Sequence, residues 1–241
     1  QDLINDGEPV VVGDYTEKST LIDAGVEKCN EIFCLTNDFR KALVVISKIR
    51  EINTDCQVYM RAFKEEYQEF LESDPWNAFT FSTSQWSLEN IKNWTKNKTG
   101  DIIILGYNHV SQLITEHLAH EQNRKVFLID KQIDEEIYQS EENIQTIKET
   151  YNTIKAISEF CDFSKIRQIF ICWKSETHFS EAVLFVMELS REFPNIEVYV
   201  RIYDEETIPF FDKYHVKTFS TSSNAFKKLR SKVAENSAIR E

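Results

Sequence analysis

Long apolar runs are missing from this sequence of 241 residues. None of its apolar stretches approaches the roughly 20 residues that a helix needs to cross a bilayer. Its five cysteines include no CxxC pair, so neither a zinc site nor a disulfide framework is expected. Residues 1–6 are polar and carry no basic segment, unlike a secretory signal peptide. These absences lead us to expect a globular chain in a reducing, cytosolic compartment.

Basic charge is also scarce. The chain has 28 lysines and arginines against 40 acidic residues, a formal net charge of -12. Nucleic-acid binding depends on clustered basic side chains that contact phosphates, so the balance argues against a nucleic-acid partner. An acidic surface is compatible with cation ligands, but by itself it indicates solubility.

Motifs of catalysis are absent as well. The sequence has no P-loop, no nucleophile elbow and no ordered Ser, His and Asp set. The five histidines lack metal-ligand spacing. The acidic segment 135–142 lacks the spacing of an EF-hand and is typical of a solvated face. We therefore expect a protein that is not an enzyme, and the sequence assigns no metal ligands.

What the chain does contain is an internal repeat. Three segments recur in the same order in its two halves: Glu31–Cys34 and Gln168–Ile171, Val58–Phe63 and Val198–Tyr203, and the motif TFSTS at 80–84 and 218–222. The period is too long for a solenoid. It predicts two domains of one fold.

Strand and helix patterns alternate along both copies, which is typical of a parallel sheet with crossover helices. The fold class is therefore α/β, with two tandem Rossmann-like domains. The second copy has about six predicted strands, the number of a dinucleotide-binding sheet. In the first copy, Pro9–Val12 is the earliest predicted strand, so we expect this copy to be N-terminally incomplete. The predicted organisation is a first domain over 1–86, a linker helix over 87–99 and a second domain over 100–241.

A turn in the second copy occupies the position of a dinucleotide fingerprint. Gly106-Tyr107-Asn108-His109 follows a predicted strand and precedes a helix, and Asp130 ends the next strand, where a ribose-binding acid belongs. Only the first glycine of the fingerprint is kept. Asn108 replaces the second and Ser111 the third. Two interpretations stay open: the turn binds a nucleotide, or it only supports the fold.

Four further charged residues are candidates for a site. Asp14 either caps a helix or offers a carboxylate at the carboxyl edge of the sheet, and Glu149 is the acid near the matching position of the second copy. Arg61 and Arg201 end the same strand in the two copies. Each arginine could hold a phosphate through two hydrogen bonds or pair with a carboxylate at a domain interface.

These residues resemble a known family. Gly13-Asp14-Tyr15-Thr16, Leu21–Val26, Ile32–Asp38 and Val58–Arg61 follow the pattern of the RCK domain, also called KTN or TrkA-N, a cytosolic regulator of potassium channels and of Trk/Ktr transporters. The resemblance implies a Rossmann-like lobe that binds nucleotide or cations and dimerises. It implies that Gly106, Asn108 and Asp130 line a nucleotide cleft, with Glu149 and Arg201 nearby.

For function, the resemblance implies a ligand-sensing gating module at the cytoplasmic face of a membrane. Its partners would be a potassium pore and further copies of itself, as a dimer or a gating ring. Its ligand would be NAD(H), an adenine nucleotide or Ca²⁺. The Gly106 turn with Asp130 also fits an NAD(P)-linked oxidoreductase or its remnant, and a third alternative is an assembly domain without a ligand.

Overall fold

Strands and helices alternate along the chain in a computed structural model that describes residues 6–150, 153–173 and 178–239. The chain divides into two units, Gln1–Ser82 and Thr83–Glu241. Within the described residues, no helix is both long and apolar enough to traverse a lipid bilayer.

The first unit holds a three-stranded parallel sheet in the order β1-β2-β3. Its elements are helix α1 (Lys18–Asp23), strand β1 (Glu31–Cys34), helix α2 (Phe39–Ile52), strand β2 (Gln57–Arg61), helix α3 (Glu65–Glu72) and strand β3 (Phe79–Phe81). Helix α2 begins where the Asp38 carboxylate accepts the Lys41 N–H. Its buried Ala42, Val45 and Ile49 recur at helical spacing and face the sheet.

The second unit holds a six-stranded parallel sheet in the order β6-β5-β4-β7-β8-β9. Its elements are α4 (Thr83–Thr95), β4 (Asp101–Leu105), α5 (His109–Glu116), a π-helical turn (His117–Glu121), β5 (Val126–Ile129), a 3₁₀ turn (Glu135–Tyr138), β6 (Ile144–Ile147), α6 (Ile154–Ser158), β7 (Ile166–Ile171), α7 (Phe179–Glu192), β8 (Glu197–Arg201), a 3₁₀ turn (Glu205–Thr207), α8 (Ile208–Asp212), β9 (Lys217–Phe219) and α9 (Thr221–Ile239). This is the strand order of a dinucleotide-binding fold, with its switch point between β4 and β7. The predicted α/β, Rossmann-like fold class is confirmed.

Both faces of the larger sheet are buried, which explains the near-continuous apolar run of β4. Ile103 and Leu105 face a core built with α7 and α8. Ile102 and Ile104 face the opposite core, built with α4 and α5. The loops that follow the carboxyl ends of the strands lie at one edge of this sheet, and they contain the candidate site residues.

The repeat is preserved in strand pairing. Phe33 lies opposite Tyr59 in the first sheet, and Phe170 lies opposite Tyr199 in the second. The two ring pairs stack in the same way, with centroids 4.7 and 4.5 Å apart. Each TFSTS motif ends a strand and begins a helix.

The predicted strand at Pro9–Val12 is wrong. These residues form no strand pairing, and Val12 is 83% exposed. Its counterpart in the second unit is β6, which forms its hydrogen bonds with β5. The described part of the first unit contains no counterpart of β4 or β5, so the segment has no strand beside it.

Helix α4 covers much of the segment predicted as a linker. It begins at Thr83, within the first TFSTS motif, and contacts α5 and α9 of the second unit. Its Trp94 ring stacks on Tyr199 with centroids 5.7 Å apart. The domain limits at 1–86, 87–99 and 100–241 stay a prediction.

Candidate functional site

The Gly106 turn lies at the switch point of the larger sheet, directly after β4. Gly106 has a φ of +101°, a conformation that side chains disfavour. A Cβ atom there would lie 2.8 Å from the Cys172 carbonyl oxygen. The first glycine of the fingerprint is therefore required by the close approach of β4 and β7.

Asn108, at the second glycine position, is the N-cap of α5. Its backbone is extended, with φ −159° and ψ 173°, so no left-handed conformation is needed there. Its side chain accepts the Ser111 N–H, and Ser111 Oγ accepts the Asn108 N–H at 2.8 Å, which forms a capping box. Its amide nitrogen donates to the Cys172 carbonyl oxygen. Asn108 thus ties the turn to the end of β7.

Asp130 connects the end of β5 to the same turn. It is buried, and its Oδ2 accepts the Tyr107 N–H at 2.8 Å while Oδ1 accepts the Gln132 N–H at 2.7 Å. The Tyr107 hydroxyl in turn accepts a hydrogen bond from the Gln112 amide at 2.6 Å. Asp130 thus fixes the turn through the two backbone N–H groups that it accepts.

Arg201 approaches the turn from the end of β8. Its guanidinium donates to Asn108 Oδ1 at 3.5 Å and to Thr221 Oγ1 at 3.1 Å, and it lies 4.8 Å from the centre of the Tyr203 ring. Among the described residues, its Nε has no hydrogen-bond partner. The bond to Asn108 is long and weak by ordinary geometry, so this cation can be redirected.

Arg61 shows the same arrangement in the first unit. Its guanidinium donates to the Leu35 carbonyl oxygen just beyond β1 and lies 5.6 Å from the centre of the Phe63 ring. Burial lowers the pKa of Arg61. In both units the arginine therefore stacks on an aromatic ring and faces the end of the neighbouring strand. In the second unit, Asn108 bridges the guanidinium and the strand carbonyl.

The remaining predicted residues lie outside this cluster. Asp14 is exposed in the first unit, and its Oδ1 accepts the Thr16 hydroxyl at 2.7 Å and the Thr16 N–H at 2.9 Å. The hydrogen bond from the Thr16 hydroxyl lowers the pKa of Asp14 most, and the bond from the Thr16 N–H lowers it further. Asp14 therefore caps a local turn. Glu149 is exposed, two residues beyond β6. His109 is the half-buried first residue of α5.

The structure thus gathers Gly106, Tyr107, Asn108, Asp130 and Arg201 at one edge of one sheet. The sequence patterns gave no prediction for Thr221, the hydroxyl partner of Arg201. Its signal was present, because Thr221 belongs to the second TFSTS motif. No group of three or more His, Cys, Asp or Glu side chains among the described residues is arranged to hold a metal ion.

Comparison with known proteins gives one family. The family model of the TrkA-N domain matches residues 1–78 and again 102–221, so it covers most of both repeats. No curated protein matches the sequence.

Solved structures with this fold include three of one protein. The crystal structure of GsuK bound to ADP superposes with a TM-score of 0.78 at 13% identity over 93% of this chain. The GsuK channel gives 0.79 at 13% identity over 96%, and the GsuK channel bound to NAD gives 0.75 at 9% identity over 96%. The chain spans 57%, 58% and 56% of the length of those three chains.

Proposed function

Because the chain belongs to the TrkA-N domain family, we propose that it is a ligand-sensing regulatory module of a potassium channel or transporter. It binds a nucleotide and passes the change to a membrane pore, without catalysis, at the cytoplasmic face. The observation that carries the proposal is the convergence of Asp130 and Arg201 on the Gly106 turn at the switch point of the sheet. The fold likeness to a channel solved with ADP and with NAD supports the ligand class.

The residues at the turn fit the phosphate of a nucleotide. A helix N-terminus favours an anion, because its first N–H groups and the helix dipole point toward it, and Arg201 adds a positive charge beside it. A bound phosphate would replace Asn108 Oδ1 as the acceptor of the Arg201 guanidinium, because this is the weaker of the two hydrogen bonds that Arg201 donates to described residues. Asp130, at the end of β5, would accept a ribose hydroxyl. Tyr107, Asn108 and His109 line the approach.

The proposed ligand has consequences for the shape of the module. Asn108 bonds both to Arg201 and to the Cys172 carbonyl oxygen, so it joins the ends of β4, β7 and β8. A ligand that breaks the hydrogen bond between Arg201 and Asn108 would release β8 from the ends of β4 and β7 at this point. Because Arg201 also bonds to Thr221, the first residue of α9, the change reaches that helix.

A direct titration tests this proposal. We expect ADP, ATP, NAD or NADH to raise the melting temperature of the full chain in a concentration-dependent manner, and Ca²⁺ is the non-nucleotide arm. Arg201→Gln should weaken nucleotide binding by about tenfold to a hundredfold, the value of a charge-assisted hydrogen bond.

Arg61→Gln is the matched control, since Arg61 ends the corresponding strand of the first unit and also lies over an aromatic ring, but has no counterpart of Asn108 beside it among the described residues of that unit. If Arg61→Gln weakens binding and Arg201→Gln does not, the second-unit site is wrong. If no nucleotide shifts the melting temperature, the nucleotide-sensing function is wrong.

We also propose self-association, through apolar side chains that both units expose at matching positions. Val44 and Phe70 are 38% and 48% exposed on α2 and α3, and Leu184 and Phe210 are 61% and 53% exposed on α7 and α8. Phe70 and Phe210 are each followed by a fully buried residue, Leu71 and Phe211. Large apolar side chains that stay exposed are typical of interaction surfaces, and here they recur at matching positions of the two units.

A further inference from the structure

An apolar cavity of about 230 Å³ opens in the second unit beside the ends of β7 and β8. Its walls are mainly apolar and aromatic, and the charged side chains of Arg201 and Asp204 also line it: Trp173, Phe179, Ala182, Val200, Tyr203 and Phe211 form most of the rest. Except for Tyr203, these apolar and aromatic side chains belong to or pack against the core under α7 and α8, on the face of the sheet opposite α5. The cavity therefore lies on the face of the sheet opposite α5, and Arg201 belongs both to its lining and to the cluster at the Gly106 turn.

The internal repeat explains why the cavity exists. Residues 61–70 and 201–210 share the same succession of buried, half-buried and exposed positions. In this alignment Tyr67 of the first unit corresponds to Thr207 of the second. The two backbones agree as well, because the Tyr67 N–H bonds to the Lys64 carbonyl at 3.1 Å and the Thr207 N–H bonds to the Asp204 carbonyl at 3.2 Å.

In the first unit an aromatic ring occupies the matching position. The Tyr67 ring stacks on Phe39, with centroids 3.7 Å apart and planes 6° from parallel. Phe39 begins helix α2 as Phe179 begins helix α7. In the second unit Thr207 carries no ring, and both Thr207 and Phe179 line the cavity. The Phe179 ring is there contacted edge-on by Phe210 and Phe211, with centroids 5.7 Å apart in each pair.

We propose that this cavity binds a small molecule with a single planar aromatic ring, which stacks on Phe179 as Tyr67 stacks on Phe39. The size is sufficient, since an apolar protein cavity of about 150 Å³ accepts benzene. Stacking on an aromatic side chain adds to the burial of apolar area. Because the residue that stacks on Phe39 in the first unit is a tyrosine, we expect the ligand to be a phenol. This site goes beyond the proposed nucleotide site, with which it shares Arg201.

The probe is p-cresol, which is the side chain of tyrosine. We expect the full chain to bind one equivalent of p-cresol in calorimetry and to melt at a higher temperature in its presence. Thr207→Tyr should fill the cavity from within, so that p-cresol binding is lost and the melting temperature without ligand rises. The proposal is overturned if the wild-type chain does not bind p-cresol, or if Thr207→Tyr binds it with unchanged affinity.

The repeat also offers a matched control. Tyr67→Thr removes the template ring, so the variant should bind two equivalents of p-cresol where the wild-type chain binds one. In the double variant Y67T/T207Y the count should return to one. A Thr207→Tyr chain that loses p-cresol but still binds ADP separates this site from the nucleotide site. If p-cresol and ADP compete in the wild-type chain, the two sites are the same and the inference is wrong.

Discussion

Asn108 stands where a dinucleotide fingerprint has its second glycine, and it bonds to three partners around the switch point. Its side chain accepts the Ser111 N–H, donates to the Cys172 carbonyl and accepts from Arg201. In the first unit the corresponding arginine, Arg61, reaches the strand carbonyl directly. Asn108, which replaces a glycine in the turn, therefore changes the hydrogen-bond partner of an arginine that both units share.

Gly106 gives a residue-scale prediction. Gly106→Ala should lower the free energy of unfolding by about 2–4 kcal/mol, because the left-handed conformation costs about 1–3 kcal/mol and the new Cβ would lie 2.8 Å from the Cys172 carbonyl oxygen. Urea denaturation measures the change.

Gly25→Ala is the control for Gly106→Ala. Gly25 also has a positive φ, of +83°, but a Cβ added there would meet no atom within 4 Å. It should therefore show the conformational cost alone. Equal losses at the two glycines would contradict the close approach of the Gly106 turn to β7.

At the scale of elements, the π-helical turn His117–Glu121 follows α5 and faces α4. His117 Nδ1 lies 2.9 Å from Glu121 Oε2, and Glu121 also pairs with Lys92 of α4 at 2.9 Å. The Gln122 amide lies 3.0 Å from His117 Nε2 and donates to Thr95 Oγ1 at 3.0 Å. Burial lowers the pKa of His117, and this outweighs the opposite effect of Glu121. The turn therefore favours the neutral imidazole.

A pH titration tests this element. Because the folded pKa of His117 lies below its ordinary value of about 6.5, its contribution to stability is complete above that pH. It is lost as the pH falls through the folded pKa. We expect the chain to lose stability as the pH falls from about 7.5 to about 5.5, and His117→Gln to lose less over the same interval. Parallel pH profiles for the two proteins would contradict the assignment.

At the scale of the whole molecule, the two units repeat one design with different surroundings. Phe33 is 44% exposed while its counterpart Phe170 is fully buried, because Phe170 lies in a strand with sheet neighbours on both sides and helices above it. The apolar positions on α2, α3, α7 and α8 stay exposed in both units. This shared exposure, rather than a single unusual residue, is the basis for the proposed self-association.

The oligomeric state tests that surface. We expect the wild-type chain to form a dimer or a larger ring in size-exclusion chromatography with light scattering. Phe70→Glu and Phe210→Glu should each shift the mass toward the monomer, because burying a charge at an apolar interface is costly. The control is Glu206→Gln, because Glu206 is exposed in the turn just before α8. A wild-type monomer at all concentrations would contradict the proposal.

The sequence determined the fold class, the repeat and the position of the Gly106 turn, because these follow from apolar periodicity and from turn residues close together in the chain. The strand predicted at Pro9–Val12 was wrong, because an apolar segment becomes a strand only beside another strand. Tertiary structure alone decided the site. Asn108 and Cys172 are 64 residues apart and Asn108 and Arg201 are 93 apart, so their contacts depend on how β4, β7 and β8 pack. The cavity at Thr207 is likewise a property of packing: the sequence shows a threonine in place of a tyrosine, and only the folded core shows the space this leaves.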